Sequence, residues 1–276
     1  MGVGKIINTI IAFILSANTY TVVYTQESRE EIEQTVILSK DIVQETTEEK
    51  VSPAKAVARN PVPTSTVSPW WNYPSDIKNV TRRGDDFLVL VNKEYQLPST
   101  YAPTDLVSIC SNVTNLRCVN DANFLIRSIL IADLQEMVNA ATQDGLDLSI
   151  RSAYRSYSTQ QSTYNYWLSV NGGNVGVTDQ ISARPGHSQH QLGTTLDFSS
   201  AEINDGLGGT FASTQASKWL ANNAWKYGFV IGYPAGYESV TGYMYESWHY
   251  RYIGKANAQE MLNNGMILEL YLRSKN

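Results

Sequence analysis

The 276-residue chain predicts an α+β fold: a single compact domain whose small antiparallel sheet is flanked by helices. Helical and strand periodicities both occur, and they succeed one another without the regular alternation that a parallel α/β sheet needs. An apolar content of 42 % is enough for one sizeable core. The patterned region begins only after a long polar leader.

The first element, Phe87-Leu88-Val89-Leu90-Val91, is an unbroken apolar run and reads as a buried strand. Across residues 121–141 the apolar positions Leu125, Ile126, Ile129, Leu134, Met137, Val138 and Ala141 keep helical spacing, and Gly145 marks the stop. Leu146, Leu148 and Ile150 alternate with polar residues, the pattern of a half-buried strand ending at Arg151. Helices are expected over residues 160–168 and 214–227, the second closed by Gly228. Residues 229–231 and 249–253 read as strands, and residues 255–262 as a terminal helix.

Residues 1–23 carry one early positive charge, Lys5, ahead of an apolar stretch from Ile6 to Val23. That is the export pattern, and its length falls between a signal-peptide core and a membrane span of ~20 residues, so both a signal peptide and an uncleaved membrane anchor stay open. Residues 24–69 are rich in Glu, Thr and Pro and show no sustained apolar period, as expected of a flexible tether. The folded domain is expected over residues 70–276, from Trp70, and as a monomer.

The net charge of −5 owes much to Glu27, Glu30, Glu31, Glu33, Glu45, Glu48 and Glu49, all in the leader. No basic footprint exists, so nucleic acid is not an expected partner. Two cysteines, Cys110 and Cys118, stand close enough to close a small disulfide loop in an exported protein, and a pair of free thiols is the alternative.

The three histidines fall into two clusters. His187 and His190 lie in a stretch that continues through Gly193 and Thr195 to Asp197; His249 follows Glu246 and Trp248. Taken singly, each histidine is an ordinary structural residue. Together they offer the two imidazoles and one carboxylate of a catalytic zinc site, with a further carboxylate beside them to move a proton. His190, Asp197 and His249 are the candidate ligands and Glu246 the candidate base; Glu246 as ligand with Asp197 as base stays open. Gly193 and the β-branched pair Thr194-Thr195 break any helix between His190 and Asp197, so a loop entering a strand is expected. Leu196 and Phe198 would then face the core while Asp197 faces the site.

The blocks Ser188-x-His190-x-x-Gly193-x-Thr195-x-Asp197 and Glu246-x-Trp248-His249 resemble the zinc signature of the VanY-type D-alanyl-D-alanine carboxypeptidases. The segment Ser152-Ala153-Tyr154-Arg155-Ser156 with Gln160, the run Leu90-Val91-Asn92-Lys93 and Tyr227-Gly228-Phe229 resemble further blocks of that family. The resemblance implies a zinc DD-peptidase-like fold, zinc on His190, Asp197 and His249, and Glu246 as general base. It also implies that Arg155 faces the substrate, with Ser188 and Gln160 as hydrogen-bond partners of the terminal carboxylate or amide. Two positions depart from the pattern. Thr195 replaces the usual Ala and is expected to narrow the space beside the metal; Gln189 stands where a Glu is common and removes a negative charge. Trp248 is expected to pack beneath the metal loop, and His187 to stay off the metal.

The function expected from this resemblance is removal of the C-terminal D-Ala from peptidoglycan stem peptides, outside the cytoplasm and facing the wall. An L,D-carboxypeptidase or endopeptidase on the same stems is the alternative. A wall-binding module without turnover is the reading from another class, and it has no use for Glu246.

Overall fold

Two short strand pairs and one five-stranded sheet organise residues 72–276, the part of the chain that the computed structural model describes. The export segment and tether expected over residues 1–69 lie outside the described residues. Among those described, no helix is long and apolar enough to cross a membrane. In chain order the strands are β1 (Lys78–Asn79), β2 (Tyr95–Gln96), β3 (Leu106–Ser108), β4 (Arg117–Cys118), β5 (Leu125–Arg127), β6 (Leu148–Ser152), β7 (Thr195–Ser200), β8 (Phe229–Ile231) and β9 (His249–Tyr252). The longer helices are α1 (Ile131–Gln143), α2 (Tyr157–Val170), α3 (Val175–Ile181), α4 (Gln215–Asn223), α5 (Lys255–Asn263) and α6 (Leu268–Lys275).

The main sheet has the order β4–β6–β7–β9–β8. Its pairings are antiparallel except at the β4 edge, which runs parallel to β6. The sheet is therefore mixed rather than purely antiparallel. A parallel neighbour needs a crossover, and β5 with α1 supplies it between β4 and β6.

Alternation gives this sheet two unlike faces. Leu148, Ile150, Leu196, Phe198, Phe229, Tyr250 and Tyr252 point into one core with Leu134, Met137 and Val138 of α1 and Ala216 and Leu220 of α4. Their neighbours in sequence, Ser149, Asp197, Ser199, His249 and Arg251, are equally buried but polar. The expected placement of Leu196 and Phe198 in the core, with Asp197 on the other face, is observed.

Several elements fall as expected. Helix α2 starts after Ser156, whose hydroxyl accepts from the Thr159 N–H, and α4 starts after Thr214, whose hydroxyl accepts from the Ser217 N–H. The helix expected to reach residue 227 tightens into a 3-10 turn, Ala224–Tyr227, which ends at Gly228.

The structure corrects four readings. Residues 87–91 hold the buried Val89, Leu90 and Val91 but no strand. Their carbonyls go elsewhere: Arg251 Nη2 donates to those of Phe87 and Val89, and Asn276 Nδ2 to that of Leu88. Residues 125–130 are a strand and a 3-10 turn instead of helix, and Ile129 is exposed. Helix α3 was not expected, and α6 follows the helix read as terminal. The disulfide expected between Cys110 and Cys118 is present.

Candidate metal centre

Strand pairing builds the first half of the site. Asp197 of β7 lies directly opposite His249 of β9. His190 arrives from a 3-10 turn, Gln189–Leu192, which Gly193 ends at a φ of 65°. A side chain there would suffer both that left-handed backbone and a Cβ only 3.0 Å from Arg127 Cγ. The turn is tied to the segment that follows β6 and to β7: Arg155 N–H donates to the His190 carbonyl, and Thr195 Oγ1 to the Gln189 carbonyl. Thr195 therefore spends its hydroxyl on the turn, and it does not line the cavity as its size had suggested.

One ligand atom each from His190, Asp197 and His249 lie within 4.8 Å of one another, and all three side chains are buried. His190 Nε2 is 3.3 Å from Asp197 Oδ2, and His249 Nδ1 is 3.2 Å from Asp197 Oδ1. Hydrogen bonds assign the imidazole protons. His190 Nδ1–H donates to the Ala153 carbonyl at 2.7 Å, which leaves the Nε2 lone pair facing the carboxylate. His249 Nε2–H points to Gln189 Oε1 at 3.3 Å, which leaves Nδ1 facing it too.

Electrostatics favour a cation between these atoms. Burial, reinforced by the positive charge of Arg155, holds the His190 imidazole down at about 4, so His190 Nε2 presents a lone pair at neutral pH. Burial opposes the Asp197 charge, a cost that a cation in the cluster would offset. His190 Nε2 and Asp197 Oδ1 are buried without hydrogen-bond partners, a loss of about 1–3 kcal/mol per group that metal coordination would relieve. Two neutral imidazoles and one carboxylate are a donor set that zinc takes, with a position left open.

Glu246 stands next to this cluster, with Oε2 at 3.3 Å from His249 Nδ1 and 16 % of its side chain still open to the cleft. Burial and the Asp197 charge push its carboxyl well above the usual range, and Arg155 opposes them. Two backbone bonds prolong the β8–β9 ladder to hold it: Gly232 N–H donates to the His249 carbonyl, and Glu246 N–H to that of Tyr233.

A cavity of about 120 Å³ opens onto the cluster, and Arg155, Gln160 and Ser188 all line it. Arg155 Nε has no hydrogen-bond partner there. Gln160 donates through Nε2 to the Ala183 carbonyl at 2.7 Å, while its Oε1 is buried and unpaired. That free atom accepts, which favours a substrate N–H over a carboxylate. Ser188 Oγ accepts from the His190 N–H, so it serves the turn as well as the wall. His187 lies off the cluster: its Nδ1–H donates to the Asn92 carbonyl, and its ring meets Tyr73 edge-on. Trp248 is half-buried against the core and lines the cavity wall.

Sequence reasoning missed three supports of the site. Gln189, read only as a lost charge, is the partner of His249 Nε2. The Ala153 carbonyl orients His190 from within the Ser152–Ser156 block. Tyr233 packs against His249 with ring centroids 4.6 Å apart and the planes tilted by 34°, and only the turn sequence Gly232-Tyr233-Pro234 could have drawn attention to it. Gly232 permits that contact, because a Cβ there would sit 2.6 Å from His249 Cδ2 and 3.3 Å from Gln189 Oε1. Gly232→Ala is expected to tilt His249 and weaken metal affinity by about tenfold or more, the size seen when groups orienting a ligand are disturbed. Zinc titration against a competing chelator reads this directly.

The family model for D-alanyl-D-alanine carboxypeptidase (VanY) matches residues 123–255. YodJ of Bacillus subtilis (strain 168), named for a carboxypeptidase activity, is 36 % identical over 213 residues, 72 % of this chain and 73 % of the relative. The solved LD-carboxypeptidase LdcB superposes with a TM-score of 0.64 at 33 % identity, over 75 % of this chain and 96 % of that one. The vancomycin-resistance D,D-pentapeptidase VanY, solved with Zn(II), gives 0.54 at 28 % identity over 67 % and 98 %. The family match spans the strands and turns that carry His190, Asp197, Glu246 and His249, and the chain belongs to the VanY-type D-alanyl-D-alanine carboxypeptidases, a family of metallocarboxypeptidase hydrolases.

Proposed function

We propose that this protein is a zinc-dependent D-alanyl-D-alanine carboxypeptidase that removes the C-terminal D-Ala from peptidoglycan stem peptides. The reading is carried by one observation: three buried ligand atoms, two imidazole nitrogens and one carboxylate oxygen, lie within 4.8 Å of one another beside a second carboxylate that opens to a cleft. His190, Asp197 and His249 would hold the zinc, which supplies Lewis acidity to the scissile carbonyl and acidifies water.

The chain's own residues do the rest. Glu246 takes a proton from the attacking water as its oxygen bonds to the carbonyl carbon of the penultimate residue. The same proton passes to the leaving nitrogen as the C–N bond breaks, releasing D-Ala and a stem one residue shorter. Arg155 faces the negative charge that grows on the carbonyl oxygen, or the terminal carboxylate. Gln160 and Ser188 hold the substrate amide and carboxylate. The apolar stretch over residues 6–23 would export or anchor the domain and place it, as a monomer, against the wall.

Likeness to LdcB, with its higher TM-score and identity, favours a second reading in which the bond cut is that of an L,D-carboxypeptidase. The kcat/KM of the zinc-loaded protein on a stem pentapeptide ending in D-Ala-D-Ala, set against the tetrapeptide ending in a single D-Ala, separates the two. A ratio well above one supports the D,D reading, and a ratio well below one replaces it.

Arg155→Gln is expected to lower kcat/KM by about a hundredfold or more, as loss of one group stabilising the growing charge does. It should also move the acid limb of the pH profile upward. The sign follows from Arg155 opposing the rise of the Glu246 carboxyl: without that cation Glu246 holds its proton to higher pH, and the base is lost earlier on acidification. An acid limb left in place would remove Arg155 from the site's electrostatics.

A further inference from the structure

A second cavity, of about 540 Å³, lies at the β4–β6 edge of the main sheet, where Arg117, Arg151, Asn120, Asn204 and Asp205 line it. None of these residues lines the metal cavity. In the β6–β7 ladder Ile150 faces Phe198 and Ser152 faces Asp197, so Arg151 is the extra residue of a β-bulge. A bulge re-aims the side chain it carries, here into the second cavity.

The two arginines of this cavity are in opposite states. Arg117 is fully engaged: Nε donates to Asp147 Oδ1 at 2.9 Å, and Nη1 and Nη2 both donate to Asp205. Asp205 is engaged as well, since Ser149 Oγ also donates to its Oδ1, at 2.8 Å. Arg151, half-buried, makes no hydrogen bond or ion pair among the described residues, and its Nε is shut off from solvent without a partner. A buried donor left unpaired is costly, and a bound acceptor would relieve it. The surrounding backbone is also unusual. Of the four non-glycine residues with left-handed φ among those described, Asn120, Asn204 and Asp205 all line this cavity, at 59°, 52° and 57°. Such backbone gathers where a loop is shaped around a ligand.

A guanidinium presents two parallel N–H groups at the spacing of the two oxygens of a carboxylate. Asn120 and Asn204 bring amide N–H donors to the same wall. Asp147 and Asp205, close by, would repel a phosphate dianion more strongly than a singly charged acid. We propose that this cavity is a carboxylate-binding site, separate from the metal centre, in which Arg151 holds both oxygens of a monoanionic acid. The site goes beyond the carboxypeptidase reading and stands whichever stem bond the enzyme cuts.

The test is a titration of the full zinc-loaded chain with acetate at constant ionic strength, followed by ¹H–¹⁵N spectra. Three resonances report the site: Arg151 Nε–H and the backbone N–H groups of Asn204 and Asp205. Acetate is expected to shift all three saturably, acetamide to leave them in place, and phosphate to bind more weakly than acetate. Arg151→Gln should remove the shifts at Asn204 and Asp205. Arg151→Lys should weaken binding by about tenfold, because the charge remains and the fork is lost. Both variants should keep their zinc and their Tm, since Arg151 bonds to no other described residue. N-acetyl-triglycine separates two sources of the same group: binding tighter than acetate assigns the site to carboxylates carried on peptides, and weaker binding to small free acids. A response that does not saturate, an equal response to acetamide, phosphate binding tighter than acetate, or shifts that survive Arg151→Gln would each overturn the site.

Discussion

Replacing Glu246 with Ala is expected to lower kcat by about a thousandfold while the protein keeps its full complement of zinc, the effect of deleting a general base. Glu246 sits 3.3 Å from His249 Nδ1 but is not one of the three clustered ligand groups. Its removal leaves His190, Asp197 and His249 to hold the ion. Its partial opening to the cleft also means that the lost side chain leaves room for water rather than a sealed void. Steady-state kinetics paired with metal analysis checks both halves of the expectation.

Asp197→Ala is the second large effect, and it acts on the metal itself. Asp197 faces both imidazoles and is the one carboxylate in the cluster, so its loss leaves two neutral nitrogen donors in a buried pocket. Zinc content should fall close to zero, and activity should fall to the level of the chelator-treated protein. The fold should survive, since Asp197 keeps its β-ladder position through the backbone. The pair of variants also separates the two assignments that the residues leave open. If Glu246 were the ligand and Asp197 the base, Glu246→Ala would lose the zinc and Asp197→Ala would keep it.

The grouping of His190, Asp197 and His249 was more legible in the sequence than the secondary structure. Ligands announce themselves by side-chain type, and three histidines in two clusters leave few ways to assemble a site. The break at Gly193 and the alternation of Leu196, Asp197 and Phe198 also indicated which face of β7 Asp197 takes, because strand alternation is a local property. The run Val89-Leu90-Val91 misled for a non-local reason. Its burial was correctly indicated, but the guanidinium of Arg251, more than 150 residues away, takes the carbonyls that a sheet would have used. Leu125 and Ile126 fit a helical period by spacing alone, yet β3 pairs with them and pulls them out of α1. Tyr233 and Gln189 carry no motif of their own. Their roles follow from which elements meet around the cavity, and only the tertiary structure fixes that.

Of the available tests, mass spectrometry of a stem pentapeptide ending in D-Ala-D-Ala bears most directly on the central claim. The peptide is incubated with the protein loaded with zinc and, in parallel, with the same protein after chelation. Loss of a single alanine in the first reaction, and an unchanged peptide in the second, is the expected result. An unchanged peptide with zinc bound, or the same cleavage after the metal is removed, would contradict it.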